Sequence, residues 1–316
     1  MKKILALVCV LALALTFAAC GGNSAKYRVG VCQLATHPAL DAATKGFVDT
    51  LKAELGDDVS IDVQIAAGES ANCASIVNSF VSGKVDLIMA NATPALQTAA
   101  GATSVIPILG TSITEYGVAL GLDNFNGTVG TNVSGTSDLA PLDQQAEMIT
   151  EWFPEAKTVG LLYCAAEPNS KYQVNTVQEI LEKAGLTCTQ YPFSDTNDLQ
   201  AITQKAAAAS DVIYIPTDNT AAENASVVDG VCRAAKVPVI AGEENICKGC
   251  GVATLSISYY DLGVTTGKMA AKVLKGEANV AEMPVEYAEN FTKKYNPELV
   301  EALGLTAPEG YEAVEK

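Results

Sequence analysis

The stretch VGVCQLATHPAL, residues 29–40, is repeated in similar form as VGLLYCAAEPNS, residues 159–170. The likeness continues along both halves of the chain, since DLIMANATP (residues 86–94) matches DVIYIPTDN (residues 211–219). Each copy has an apolar, β-branched run, then a loop with a small or polar tip, and then a segment with helical periodicity. The repetition therefore predicts two similar units in which strands alternate with helices.

A third pair of strands and two amphipathic patterns extend this correspondence. VIPILGTS (residues 105–112) matches KVPVIAGE (residues 236–243), with a proline at the start of each apolar run. Apolar residues recur at helical spacing at Leu40, Ala43, Phe47 and Leu51, and again at Val174, Val177, Ile180, Leu181 and Ala184 before Gly185. Strands that are apolar along their whole length indicate parallel sheets covered on both faces. The predicted fold class is α/β, with two Rossmann-like lobes; one larger doubly wound domain is the alternative.

Composition limits the class of partner. The chain has 316 residues, of which 49% are hydrophobic, and this is enough apolar material for two packed cores. It carries 20 basic and 36 acidic residues and a net charge of -16. That charge argues against nucleic acid or an anionic membrane surface as the main partner. Small molecules and other proteins are the expected partners.

The N-terminus has the features of a secretory leader. Lys2 and Lys3 precede an apolar run over residues 4–19 that is too short to span a bilayer. Residues 1–19 are therefore predicted to be a signal peptide, and Cys20 follows two alanines, where a bacterial lipoprotein would be cleaved and acylated. Residues 20–26 would form a flexible tether. These features predict a lipoprotein on the outer face of the cytoplasmic membrane; ordinary secretion with an unmodified Cys20 is the alternative.

Seven cysteines follow Cys20, and an odd number leaves at least one free thiol unless the protein pairs with another chain. Cys247 and Cys250 form a CKGC motif, which favours either a local disulfide or two free thiols. A zinc site would need two further cysteine or histidine ligands, and the single histidine, His37, is distant in sequence. No metal site is therefore predicted. Cysteines inside apolar strands are expected to be small buried residues.

Candidate binding residues come from the ends of the predicted strands. In open α/β sheets, ligands bind beyond the carboxyl ends of the strands, and in a two-lobed molecule both sets of ends can face one cleft. The candidates are Gln33, His37, Thr93 and Ser112 from the first lobe and Tyr163, Asn169, Ser170, Thr217, Asp218, Asn219 and Glu243 from the second.

The chemistry of these residues is suited to a ligand with two opposite charges. Thr93 before Pro94 is predicted to cap a helix whose free N–H groups would bind a carboxylate. Asp218 and Glu243 offer acceptors for an ammonium group, and a free α-amino acid carries both charges. For Asp218 the alternative role is that of a simple helix cap.

Tyrosines near the same loops bear on the ligand's side chain. Tyr116, Tyr163 and Tyr172 could stack on a ring, and ordinary packing is the alternative for each. On this basis the preferred ligand is an aromatic L-amino acid.

Five motifs together resemble one family: QLATHPALDAATKGF, TNVSGTSD, NSKYQV, IPTDNT and YYDLGVTTGKMAAKVLKGE. The chain resembles extracytoplasmic substrate-binding lipoproteins of ABC importers, in particular the tryptophan- and tyrosine-binding branch with a type I periplasmic-binding-protein-like fold. The resemblance implies a monomeric clamp that delivers its ligand to a permease and an ATPase. The implied division is an N-terminal lobe of residues 27–115 and 256–284, a hinge of residues 116–135, and a C-terminal lobe of residues 136–255 and 285–316.

Enzymatic functions are not supported by the motifs. The sequence has no G-x-S-x-G motif, and a Ser-His-Asp arrangement would depend on His37 alone. GVTTGKM, residues 263–269, lacks the spacing of a phosphate-binding loop. A binding protein without a cofactor is therefore predicted. Presentation of the closed clamp to a membrane receptor, or binding of a sugar or nucleoside, are the alternatives.

Overall fold

The computed structural model describes residues 25–315. The predicted signal peptide and the predicted lipidation site at Cys20 lie outside the described residues. Within the described range, no helix is both long and apolar enough to cross a membrane.

The described chain contains strands and helices in close alternation. The strands are β1 Tyr27–Gln33, β2 Val59–Ile65, β3 Leu87–Asn91, β4 Ile108–Ile113, β5 Val133–Ser137, β6 Thr158–Cys164, β7 Thr187–Phe193, β8 Val212–Ile215, β9 Val239–Ala241, β10 Ala253–Ser256, β11 Glu286–Tyr287, β12 Thr292–Tyr295 and β13 Glu312–Ala313. The α-helices are α1 Pro38–Leu55, α2 Ser70–Gly83, α3 Thr93–Ala102, α4 Tyr116–Leu120, α5 Leu142–Trp152, α6 Pro168–Lys183, α7 Thr196–Ala209, α8 Asn219–Glu223, α9 Ala225–Ala235, α10 Glu244–Cys250, α11 Tyr259–Lys275 and α12 Pro297–Ala302.

These elements form two sheets, which confirms the predicted α/β fold with two lobes. The first sheet has six strands in the order β11-β5-β4-β3-β1-β2, and all its pairings are parallel. The second has seven strands in the order β13-β12-β10-β9-β8-β6-β7, with only the β10–β12 pair antiparallel. β1 lies between β2 and β3, and β6 lies between β7 and β8. The two similar stretches of sequence therefore occupy equivalent places in the two sheets.

Sheet membership corrects the predicted boundaries of the lobes. β5 pairs with β4 in the first sheet, so a boundary at residue 136, between the predicted hinge and C-terminal lobe, would cut through this strand. β11 also pairs in the first sheet, so the last crossing follows residue 287 rather than residue 284. Neither strand could be recognised in the sequence, because β5 (VSGTS) consists of small and polar residues and β11 has only two residues.

Helix α11 packs on α1, so the chain returns to the first lobe after β10. The two helices approach so closely that a Cβ at Gly263 would lie 2.0 Å from the backbone oxygen of Ala43. A Cβ at Gly46 would lie 2.1 Å from the backbone oxygen of Tyr260. Glycine at both positions is what permits this packing.

The predicted helical stripes are buried except at Ile180, which is half-buried, and at Ala184. Leu40, Ala43, Phe47 and Leu51 of α1 are all within the core. In the second lobe the stripe of α6 packs against the sheet, but Ala184 lies beyond the helix end and is exposed.

Candidate ligand-binding site

A small cavity lies between the lobes, at the carboxyl ends of the strands of both sheets. Its free volume is only about 10 Å³, enough for about one water molecule, so the walls of the closed cleft stand nearly in contact. Its lining residues are His37, Leu40, Ser112, Thr114, Asp138, Asn169, Thr217, Asp218, Asn219, Ala222, Glu243 and Tyr259.

Most of the predicted site residues meet at this cavity, but four do not line it. Those that do are His37, Ser112, Asn169, Thr217, Asp218, Asn219 and Glu243. The four others, Gln33, Thr93, Tyr163 and Ser170, are also buried, but their side chains serve the structure around the cavity.

Two of the four are in the first lobe. Both ends of the Gln33 amide are bonded locally, since Nε2 donates to Asp41 Oδ1 at 2.6 Å and Oε1 accepts from Thr44 at 2.6 Å. Thr93 is the first residue of α3 and not its cap; the cap is Ala92, whose φ of 88° is unusual for a residue with a Cβ. The prediction that Thr93 caps this helix is therefore wrong.

The other two support the second lobe from behind. The Tyr163 hydroxyl donates to Gln190 Oε1 at 2.9 Å, and its ring belongs to the core that faces α6. Ser170 Oγ contacts the Thr217 carbonyl at 3.5 Å. The proposed stacking role of Tyr116 also fails, because this residue is buried beside Phe125 and its hydroxyl donates to the Thr136 carbonyl.

Four polar atoms around the cavity have no hydrogen-bond partner within the described part of the chain. Each belongs to a side chain that is at least nine-tenths buried. Such atoms are rare in folded proteins because burying a polar group without a partner costs about 1–3 kcal/mol. They are His37 Nδ1, Ser112 Oγ, Asp138 Oδ1 and Asn169 Oδ1. Both lobes thus aim unused hydrogen-bonding groups at one space.

The backbone at Ser112 is strained. Pairing between β4 and β5 shifts register between residues 110 and 113, and Ser112 within this irregularity has a φ of 55°. A non-glycine residue in this region costs on the order of 1–3 kcal/mol, and such strain concentrates at functional sites. The irregularity places Ser112 in the cavity wall.

Asp138 is the most informative residue that the sequence did not single out. Its Oδ2 accepts a hydrogen bond from the Tyr259 hydroxyl at 3.0 Å, whereas its Oδ1 is one of the four unused atoms. Burial raises the pKa of this carboxyl to about 6, against the effect of its bond with Tyr259. Like the other candidates, Asp138 directly follows a parallel strand, but that strand, VSGTS, lacks the apolar signal.

Two other carboxylates in the wall cap short helices. Asp218 accepts from Ala221 N at 2.8 Å and from Cys164 N at 2.7 Å, so the alternative role as a cap is present. Glu243 accepts from Asn245 N and Ile246 N at the start of α10. Burial raises the pKa of both, that of Asp218 to about 7. Their oxygens are engaged with backbone N–H groups, which distinguishes them from Asp138.

Glu167 holds the second lobe's side of the cavity in place. Its Oε2 accepts from the Asn219 backbone and side chain at 3.0 and 2.6 Å, and from Asn169 Nδ2 at 3.2 Å. Its Oε1 accepts from the backbone and hydroxyl of Thr220 at 2.9 and 2.8 Å. These five bonds from three residues orient Asn169 and Asn219 toward the cavity.

His37 links the two lobes directly. Its Nε2 lies 3.2 Å from Asn219 Oδ1 on the opposite lobe. Because a contact of this length requires the cleft to be shut, the lobes stand in a closed arrangement.

The cysteines of the CKGC motif are free thiols. Cys247 and Cys250 lie in α10 and are buried, so of the two alternatives for this motif the structure has the second.

The chain matches a known family over most of its length. The family model described as ABC transporter substrate binding protein matches residues 28–314. The chain belongs to this family of ABC transporter substrate-binding proteins. It is 34% identical over 280 residues to the tyrosine-binding protein of Clostridioides difficile strain R20291, covering 88% of this chain and 81% of that protein. Members of the family are binding proteins rather than enzymes, and those that serve importers are extracytoplasmic.

Two solved structures resemble this chain to different degrees. The ABC domain in complex with L-Trp from Streptococcus pneumonia is 34% identical, with 92% of this chain and 100% of that chain covered, and superposes with a TM-score of 0.86. The ligand-free, open structure of a substrate-binding protein with adhesive properties from Clostridium difficile is 37% identical, with 92% and 99% covered, and has a TM-score of 0.69. Because the more identical relative superposes less well, sequence divergence does not explain the difference. This chain therefore superposes better on the tryptophan complex than on the ligand-free, open structure.

Proposed function

We propose that this protein captures an α-amino acid, with aromatic side chains preferred, and delivers it to an ABC permease. The observation that carries the proposal is the set of unused polar atoms on His37, Ser112, Asp138 and Asn169 around one closed cavity. The names of the relatives support the aromatic preference, since one is a tyrosine-binding protein and another was solved with L-Trp.

The polarity of the unused atoms fits a zwitterion. Asp138 Oδ1 and Asn169 Oδ1 are acceptors, and an ammonium group has three N–H donors to offer them. Ser112 can donate its hydroxyl hydrogen to a carboxylate, and a protonated His37 can donate from Nδ1. Charge-assisted bonds of this kind are worth about 1.5–3 kcal/mol each. In the proposal, Asp138 is the main partner of the ligand's ammonium group and replaces Asp218 in that role.

The ligand also drives closure. Ser112 belongs to the first lobe and Asn169 to the second, while Asp138 follows the last strand before the chain crosses between them. A ligand bonded to all three binds the closed form better than the open form, and only that difference can shift the equilibrium toward closure. The closed form is then the one that the permease recognises.

The remaining partners and the location follow from the family. We propose that a monomer is tethered by a lipid on Cys20 to the outer face of the cytoplasmic membrane, and that an ATPase drives the permease. The excess of 36 acidic over 20 basic residues favours a tether over adhesion to anionic lipids.

Calorimetric titration against a panel of free L-amino acids tests the proposal. We expect tyrosine or tryptophan to bind with the highest affinity. The amine that lacks the carboxylate and the acid that lacks the ammonium group should each bind at least tenfold more weakly. Preferential binding of a sugar or a nucleoside would refute the amino-acid assignment. Tight binding of the amine alone would show that the cavity recognises a cation and not a zwitterion.

A further inference from the structure

Two thiols meet in the core of the first lobe. Cys32 lies in β1 and Cys73 lies in the first turn of α2, and each is 0% exposed. Both are free thiols in the structure, and their side chains belong to the same hydrophobic cluster. The interaction with Cys73 raises the pKa of Cys32, and the interaction with Cys32 lowers the pKa of Cys73.

The packing of α2 on β1 independently places Cys32 and Cys73 at the same helix–strand interface. Phe80 lies over Gly30, where a Cβ would come within 2.5 Å of the Phe80 ring. Cys73 precedes Phe80 by two helical turns and so shares its face, and Cys32 follows Gly30 by two residues and so shares its face of the strand. Because the helix runs back past the parallel strands, its first turn stands over the carboxyl end of β1.

We propose that Cys32 and Cys73 form a disulfide bond in the exported protein. The two thiols together lose two protons and two electrons as the S–S bond forms. An extracytoplasmic thiol–disulfide oxidoreductase accepts them, and its own disulfide is reduced to two thiols. Disulfides persist in oxidising compartments outside the cytoplasm, which is where the importer members of this family work. Because both sulfurs are sealed in the folded lobe, the exchange takes place before the lobe has finished packing.

Other buried thiols are engaged differently. The Cys247 thiol donates to the Gly251 carbonyl at 3.5 Å, and the Cys164 thiol donates to the Ser194 carbonyl at 3.7 Å. Cys32 and Cys73 are distinguished by having each other as partners.

The bond would tie the cleft end of β1 to the start of α2 and enclose α1 and β2 in one covalent loop. In the chain-entropy account, closing such a loop limits the freedom of the unfolded chain and thereby favours the folded state. The bond also lies directly before Gln33, whose side chain orders the start of the loop that carries His37.

Peptide mapping tests the proposal on the exported full-length protein. Free thiols are alkylated in denaturant without reductant, and the protein is then digested with trypsin. Cys32 falls in the peptide of residues 29–45 and Cys73 in that of residues 53–84, and each peptide contains one cysteine. We expect a single cross-linked species that reductant splits into these two peptides. Recovery of the two peptides separately, each alkylated, would overturn the proposal.

Thermal unfolding provides a second measurement that does not depend on export. Wild type refolded in a glutathione redox buffer is expected to unfold at a higher temperature than wild type refolded with excess reductant. The double variant Cys32→Ala/Cys73→Ala should show no such difference, whereas the control Cys232→Ala, at another buried cysteine, should retain it. Equal midpoints for the two wild-type preparations would count against the bond. This result is separate from ligand binding, which the calorimetric panel tests.

Discussion

Substitution of Asp138 by asparagine should raise the stability of the ligand-free protein and lower its affinity for ligand. Burial raises the pKa of this carboxyl from 3.8 to about 6. A shift of about two units corresponds to roughly 3 kcal/mol, which is the cost of holding the ionised group in the closed structure at neutral pH. Asparagine removes this cost, and its amide oxygen can still accept the hydrogen bond from Tyr259.

The loss of binding has a different origin. With this carboxylate removed, the ligand's ammonium group would lose the counter-charge that accepts its hydrogen bond, which costs on the order of 3–5 kcal/mol for a buried pair. At about 1.4 kcal/mol for each tenfold change, we expect the Kd to rise by roughly two orders of magnitude or more.

Two assays at pH 7.5 test this pair of opposite effects. Urea unfolding without ligand gives the free energy of unfolding, and calorimetry gives the Kd for tyrosine and tryptophan. Asp57→Asn is the matched control, because Asp57 is exposed in a short 3-10 helix and should change neither quantity. An unchanged Kd in the Asp138 variant, or a fall in ligand-free stability, would refute the reasoning.

Four further outcomes are expected. Asp218→Asn should change the free energy of unfolding little at pH 7.5, because the loss of one of two backbone N–H bonds, about 1–3 kcal/mol, offsets the relief of a buried charge whose pKa is raised to about 7; a large shift of the urea midpoint would contradict this. Glu167→Gln should weaken ligand binding at least tenfold in calorimetry by releasing the two asparagines it holds, whereas Glu182→Gln, on an exposed part of α6, should not. Gly263→Ala should destabilise the protein by at least about 1–3 kcal/mol in urea unfolding, and Gly101→Ala, where a Cβ meets open space, should not destabilise it. The raised pKa values of Asp138, about 6, and Asp218, about 7, mean that the folded, ligand-free protein binds protons more tightly than the unfolded chain. Its melting temperature should therefore rise as pH falls from 7.5 to 5. Ligand affinity should fall over the same range as Asp138 is protonated.

The strand–helix repeat could be predicted from the sequence because β1, β3, β6 and β8 each contain an apolar run bounded by polar loops. Seven cavity residues followed from one rule, that ligands bind beyond the carboxyl ends of parallel strands. The same rule applies to Asp138. The residues of β5 are small and polar, however, and the sequence therefore predicts a hinge there instead of a strand. Without the strand, its end could not be located.

The direction of side chains was the second limit on predicting the site from the sequence. Tyr163, near the carboxyl end of β6, turns toward Gln190 and the core that faces α6. Whether a loop residue such as Gln33 faces a ligand or bonds to its own loop depends on backbone angles that spacing does not specify. Ala92 has a positive φ and is the cap in place of Thr93. A positive φ is usually adopted by glycine or asparagine, so an alanine at this position gives no indication of it in the sequence.

The three crossings between the lobes bear on the order in which the chain folds. The first lobe takes strands from the start of the chain, then α11, and finally β11 at residues 286–287. If the chain is exported N-terminus first, as proposed, the first lobe cannot be completed until almost the whole polypeptide has crossed the membrane. Until then α1 lacks the helix that covers it, and its apolar stripe is exposed to other chains and to chaperones. A truncation after β10 would therefore remove part of the first lobe rather than of the second.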